Sequence, residues 1–359
     1  MLFSKSVLIR LLYLYAFTLL VFVVFLNARE GFSYDYNYYL SYIIEIADTP
    51  VSALFNNVIG IYVPLNSSAG VEIGFVLLVK LITQILDNEV VIYAVMACFS
   101  IFIKGRVLLL FNVKSIWLYL ILIYSCILLE GNALRSGIAL SFFLLALSYY
   151  LRKQTIKMLF LFICSTIVHI QAFYFIFLFF IFLLLKRTNL MNKKWFVSVL
   201  VLIALSLGPL MSIIFEVFSA GKLELYALNK SQSGGVNVVT VLSLIIMFIV
   251  FTLIIKNTGK IKFDLDNRLL LMGLALISLS TLSLYAFFTS VAVIGDRLWQ
   301  WGLILFCAAY FSLHPNKSFT PSKLLLLICL VFYIINITFR YPLTNLLYPL
   351  VPYMDFSKL

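Results

Sequence analysis

The chain has 359 residues, 64% of them hydrophobic and only 11% charged, and its mean hydropathy is +1.11. Soluble domains carry about 45–50% apolar and about 25% charged residues, so a soluble globular fold is excluded and an integral membrane protein is expected. The formal charge of +12 does not call for nucleic acid, because basic residues held on the inner side of a membrane account for it.

The first apolar run, Val7 to Leu26, is long enough to span a bilayer and has no small-residue cleavage site. It is expected to be a retained first helix. The longest non-spanning stretch follows, over 27–88. It contains YDYNYYLSYIIEI, in which Tyr34, Tyr38 and Tyr42 would share one helical face. Such a face serves either as an interfacial aromatic belt or as a sugar-binding surface. Near its end, 71–86 is apolar but short and carries Lys80, which suggests an interfacial or re-entrant helix.

Spans are then expected at 90–110, 115–131 and 133–151. The run from Lys157 to Leu185 is too long for one helix and is interrupted by His169 and Gln171. It is read as two short helices meeting there. Further spans at 195–218, 236–255, 269–291, 297–313 and 323–339 bring the expectation to about 11 crossings, with a smaller outer loop at 219–235. The chain reads as a single polytopic all-α membrane domain over 1–359. The five cysteines lie inside apolar runs without disulfide or zinc spacing, as small buried hydrophobes do.

Charge sets the orientation. With the N-terminus cytoplasmic and the C-terminus periplasmic, the outer side keeps Arg29, Lys80, Arg135, Lys222, Lys230, Arg297, Arg340 and Lys358. The other 18 of 26 basic residues, Lys104 among them, fall inside, which is the bias that insertion favours. Of the 14 acids only Asp264 and Asp266 fall inside. Their crowding outside is either a solvated face or a working surface.

Arg135 and Arg297 are electrostatically out of place, each at the outer end of a span. Either they pair with nearby acids (Glu130, Asp296) or snorkel, or they form an anion clamp, since guanidinium presents a rigid fork of donors to phosphate. His169 is either a hydrogen-bonded core residue or a proton acceptor. His314 belongs to an inner loop and cannot share a metal with it, so no metal site is expected. Glu72, with Glu30, Asp35 and Glu45, supplies carboxylates on the arginine side.

The order of these features resembles a known family. Asp35 and Tyr39 give D-x-x-x-Y; Glu72, Gly74 and Phe75 give E-x-G-F. Asn132, Arg135, Gly137, Ile138 and Ala139 give N-x-x-R-x-G-I-A, followed by His169 and then Arg297. The pattern is similar to that of the EpsG/Wzy-type bacterial polysaccharide polymerases of O-antigen and capsule assembly. It departs from it at Ser136, where many members carry glutamine. The resemblance implies a GT-C-like membrane glycosyltransferase of the inner membrane, acting on its outer face without a metal or other cofactor. Donor and acceptor would be glycans on undecaprenyl pyrophosphate, and the partners would be the bilayer, a chain-length regulator and a flippase. It further implies catalytic roles for Arg135, Arg297, Glu72 and His169, and substrate contacts from Asp35, Tyr38, Tyr39, Asn132 and Asp296. A flippase of lipid-linked sugars and an O-antigen ligase are the alternative readings.

Overall fold

The computed structural model describes residues 35–56, 58, 60–66, 68–111, 121–123, 125, 129–131, 133–187, 245, 249, 300–308 and 310. The described residues up to 110 and from 121 to 173 form one compact unit. Phe111 and those from Tyr174 onward belong to a second.

The first unit begins with helices α1 (Tyr36–Asp48) and α2 (Val51–Asn56). Strands β1 (Tyr62–Leu65) and β2 (Ser68–Glu72) follow, then helices α3 (Ile73–Ile82), α4 (Glu89–Leu110), α5 (Leu134–Leu151) and α6 (Thr155–Val168). Helix α7 (Gln171–Arg187) starts after a two-residue break.

Helix α1 buries Tyr36, Tyr39, Ile43 and Ile46, which recur at the three- and four-residue spacing of one helical face. That face does not carry Tyr38, which is 54% exposed, whereas Tyr42 lies at its edge, half-buried beside Tyr39. At the C-terminus of α1 the last carbonyls have no helical partner. Lys80 of α3 supplies one, its Nζ donating to the carbonyls of Ile46, Ala47 and Thr49 at 3.0, 2.8 and 2.9 Å. The lysine that interrupts the apolar run 71–86 is therefore a helix cap.

The strands form an antiparallel hairpin pairing Tyr62 with Glu72, Val63 with Val71 and Leu65 with Ser68, with an irregularity between Val63 and Leu65. This corrects the all-α expectation. The strands are four and five residues long, and the exposed Pro64 disguises the first, since proline gives no ladder donor. The hairpin is tied to α1 by the Glu45 carboxylate, which accepts from the backbone N–H of Asn66.

Helices α4 and α5 have 22 and 18 residues. At 1.5 Å per residue they rise about 33 and about 27 Å, close to the ~30 Å hydrocarbon core of a bilayer. Among the described residues these two are long and apolar enough to cross a membrane, and they coincide with the spans expected at 90–110 and 133–151. Helices α6 and α7 have 14 and 17 residues and meet where the sequence breaks. His169 ends α6 in an extended conformation (φ −156, ψ 122), and its carbonyl accepts from the N–H of Ala172 as α7 begins. Helices α5 and α6 join through a tight turn with Lys153 in the left-handed region (φ 59). Helix α5 packs against α4 and α6, and α3 packs against α1 and α6.

In the second unit, residues 300–308 and 310 are helical, and the buried Trp301 packs on Phe175 with ring centroids 4.9 Å apart. The expected spans 7–26, 195–218, 269–291 and 323–339 lie outside the described residues. So does most of 115–131 and 236–255, which are helical at 121–123, 125, 245 and 249.

Candidate active site

Strand β2 runs directly into α3, and Glu72 stands at the junction. It is the N-cap of α3 but makes no side-chain capping bond. Short polar side chains at this position normally accept from the first helical N–H groups. The Glu72 carboxylate is instead committed elsewhere. Its Oε2 accepts from Nη1 of Arg135, and its Oε1 faces Nδ1 of His169 at 2.8 Å. Glu72 is 2% and His169 7% exposed, so this pairing is buried.

Close backbone packing brings the two loops together. A methyl group on Gly74 would lie 2.7 Å from the backbone carbon of Ile167, so only glycine lets the start of α3 press against the last turn of α6. Glu72 lies two residues before that contact and His169 two residues after Ile167. The glycine of E-x-G-F thus sets the distance between carboxylate and imidazole.

Arg135 enters from the first turn of α5. Its guanidinium carbon lies 5.8 Å from the ring centroids of both Tyr39 and Tyr42, within cation–π reach. Its backbone N–H donates to the Tyr39 hydroxyl at 3.5 Å. Guanidinium has five N–H donors. Of these, Nη1 serves Glu72, while the buried Nε has no hydrogen-bond partner among the described residues.

Glu130 does not pair with Arg135, contrary to one of the expectations above. Its carboxylate takes Lys104 of α4 as ion partner and accepts from Ser100 and Ser125. Lys104 is 1% exposed, because the apolar length of α4 continues beyond it. It is thus not an inner-loop residue and leaves the inner tally of basic residues.

The sequence model of the EpsG family matches residues 10–354. The chain belongs to the EpsG family. No curated protein and no solved structure matches it. In this EpsG-family membrane protein, Glu72, Arg135, His169 and Tyr39 come together within one unit. Asp35 is the half-buried N-cap of α1, and its carbonyl accepts from the N–H of Tyr39. Tyr38 lies on the exposed face of the same helix. Ser136 donates to the side-chain amide oxygen of Gln171 at 3.3 Å. Asn132, Asp296 and Arg297 lie outside the described residues. Sequence reasoning missed Tyr42 and Tyr93 as neighbours of the arginine and its turn, and Lys104 as the partner of Glu130. A lysine inside a run as apolar as α4 was the available signal.

Proposed function

We infer that the protein is a polysaccharide polymerase that joins undecaprenyl-pyrophosphate-linked repeat units by glycosyl transfer on the outer face of the bacterial inner membrane. The observation that carries this reading is the convergence of Arg135 and His169, 63 and 97 residues distant in sequence from Glu72, on its single buried carboxylate. The family match supports the polymer-forming class of reaction.

The reaction requires the acceptor hydroxyl to attack the anomeric carbon of the donor glycan. The bond from that carbon to the lipid diphosphate breaks, a glycosidic bond forms, and one proton leaves the hydroxyl. Each demand has a candidate here. Arg135 keeps N–H donors beyond the one given to Glu72, and a preorganised cation stabilises the charge that builds on the departing diphosphate. Arg297 is the second clamp, so that two guanidinium groups rather than a metal ion meet the departing diphosphate. Glu72, accepting from the Nδ1–H of His169, fixes the tautomer that leaves Nε2 as a proton acceptor, as carboxylates commonly do for histidine. His169 Nε2 then takes the hydroxyl proton. Tyr39 and Tyr42 hold the arginine, and the half-buried Tyr42 offers a face for a sugar ring. Asp35, Tyr38, Asn132 and Asp296 extend the substrate surface.

The test is polymerisation of purified lipid-linked repeat units by the protein in nanodiscs, with and without chelator. Polymer formed in chelator and abolished by Arg135→Ala is the expected result. Translocation of the lipid-linked unit without any new glycosidic bond would overturn it in favour of a flippase. Transfer only to a non-repeat acceptor would overturn it in favour of a ligase.

A further inference from the structure

The Lys104–Glu130 ion pair is separate from the pairings that Arg135 and His169 make with Glu72, and it is the more deeply buried, at 1% and 2% exposure. Stability alone does not account for it. Replacing a buried ion pair by apolar residues is often neutral or stabilising, and charge in an apolar span makes insertion harder. What the pair contacts is more informative.

Its contacts gather around the start of α5, where Arg135 stands. The Glu130 carboxylate is gripped by Lys104 and Ser100 from α4 and by Ser125, whose hydroxyl also accepts from Lys104 at 2.8 Å. Ser100 in turn bonds Ser141 of α5 at 2.8 Å. The same carboxylate lies against Gly137, where a methyl group would sit 2.7 Å from Glu130 Oε1. The main chain is held as well. The Tyr93 hydroxyl donates to the carbonyls of Glu130 and Gly131, and the N–H of Ala133 donates to the carbonyl of Leu129. The Tyr93 ring meets Tyr39 at 6.1 Å, and Tyr39 is the ring that flanks Arg135. Helix α4 thus fixes the chain five residues before the arginine and, through two tyrosines, the aromatic wall beside it.

We propose that the buried Lys104–Glu130 pair is a positioning device that sets where α5 begins and so where the Arg135 guanidinium stands; Lys104 and Glu130 are positioning residues of the polymerase. The kinetic part of this proposal rests on the polymerase reading, and the structural part does not. The variant to make is Lys104→Met/Glu130→Met, which removes both charges together and so strands neither. Two measurements are needed: backbone hydrogen exchange over 129–137, and kcat for polymer formation at equal amounts of inserted protein. The expected result is faster exchange over 129–137 with exchange in α6 unchanged, and kcat lower by about 10- to 100-fold, the scale of a misplaced catalytic group. Faster exchange in a protein whose wild-type form makes no polymer would uphold the positioning role and overturn the polymerase reading. Wild-type exchange over 129–137, or wild-type kcat, overturns the positioning role. Should the double variant fail to insert, Gly137→Ala is read in the same way, because its methyl group displaces the Glu130 carboxylate while leaving both charges present.

Discussion

At the scale of single residues, one carboxylate serves two partners, and substitutions at the three positions should separate by what each removes. Arg135→Ala should lower the rate by roughly 30- to 1000-fold, equivalent to about 2–4 kcal/mol of transition-state stabilisation, and should weaken retention of the lipid-linked donor. Arg135→Lys should recover little, because an ammonium group keeps the charge without the fork of donors; near-normal polymer length from the lysine variant would refute the clamp. His169→Ala should slow the chemical step, leave donor binding intact and flatten the dependence of rate on pH. Glu72→Gln should do both kinds of damage, since it frees the arginine and the imidazole together; a Glu72→Gln variant with wild-type kinetics would remove the carboxylate from the mechanism. Arg135 and His169 were legible in the sequence because each is polar where its neighbours are apolar. Their shared partner was not. The acid nearest Arg135 along the chain is Glu130, and only the packing of α4 shows that Lys104 has taken it.

Whole elements explain why the three side chains can meet. The break at His169 was readable from length, because the apolar run around it exceeds one span. The hairpin was not, since four- and five-residue strands with a proline give no clear alternation, and yet the hairpin delivers Glu72. The glycine contact is the element-scale hinge of the arrangement. Gly74→Ala places a methyl group against the backbone carbon and carbonyl oxygen of Ile167 as well as its Cγ1, and the backbone atoms cannot swing aside as a side-chain tip would. It should lower stability by about 1–3 kcal/mol, the usual scale of overpacking, seen as a lower Tm in detergent. Activity should fall further than stability explains, because α3 and α6 separate at the point that sets the Glu72–His169 distance. Wild-type activity in Gly74→Ala would show that this distance is not critical. Tyr39, rather than Tyr38, faces the arginine because α1 turns its 36/39/43/46 face inward, a rotation that the tyrosine-rich sequence leaves open.

For the molecule as a whole, hydropathy located the two spans α4 and α5 to within a residue, since long uniform apolar runs have few alternative folds. Lys104 shows the limit of counting charges, because a basic residue paired inside the unit does not report on a loop. Orientation is testable directly. With cysteine introduced singly in place of Lys153, Lys193 or Lys260, an impermeant thiol reagent should fail to label intact spheroplasts. Cysteine at Asp35, Lys230 or Tyr353 should be labelled. Labelling at 153 or 260 would invert the topology. Lys80 carries a different consequence. All three of its ammonium protons are directed at carbonyls, and a lysine has no further donors. An amine so engaged is a poor nucleophile, so in an acylation footprint of the folded protein Lys80 should stay unmodified while Lys153 and Lys157 react. Its acylation would then report, by mass alone, the moment at which α1 lets go of α3.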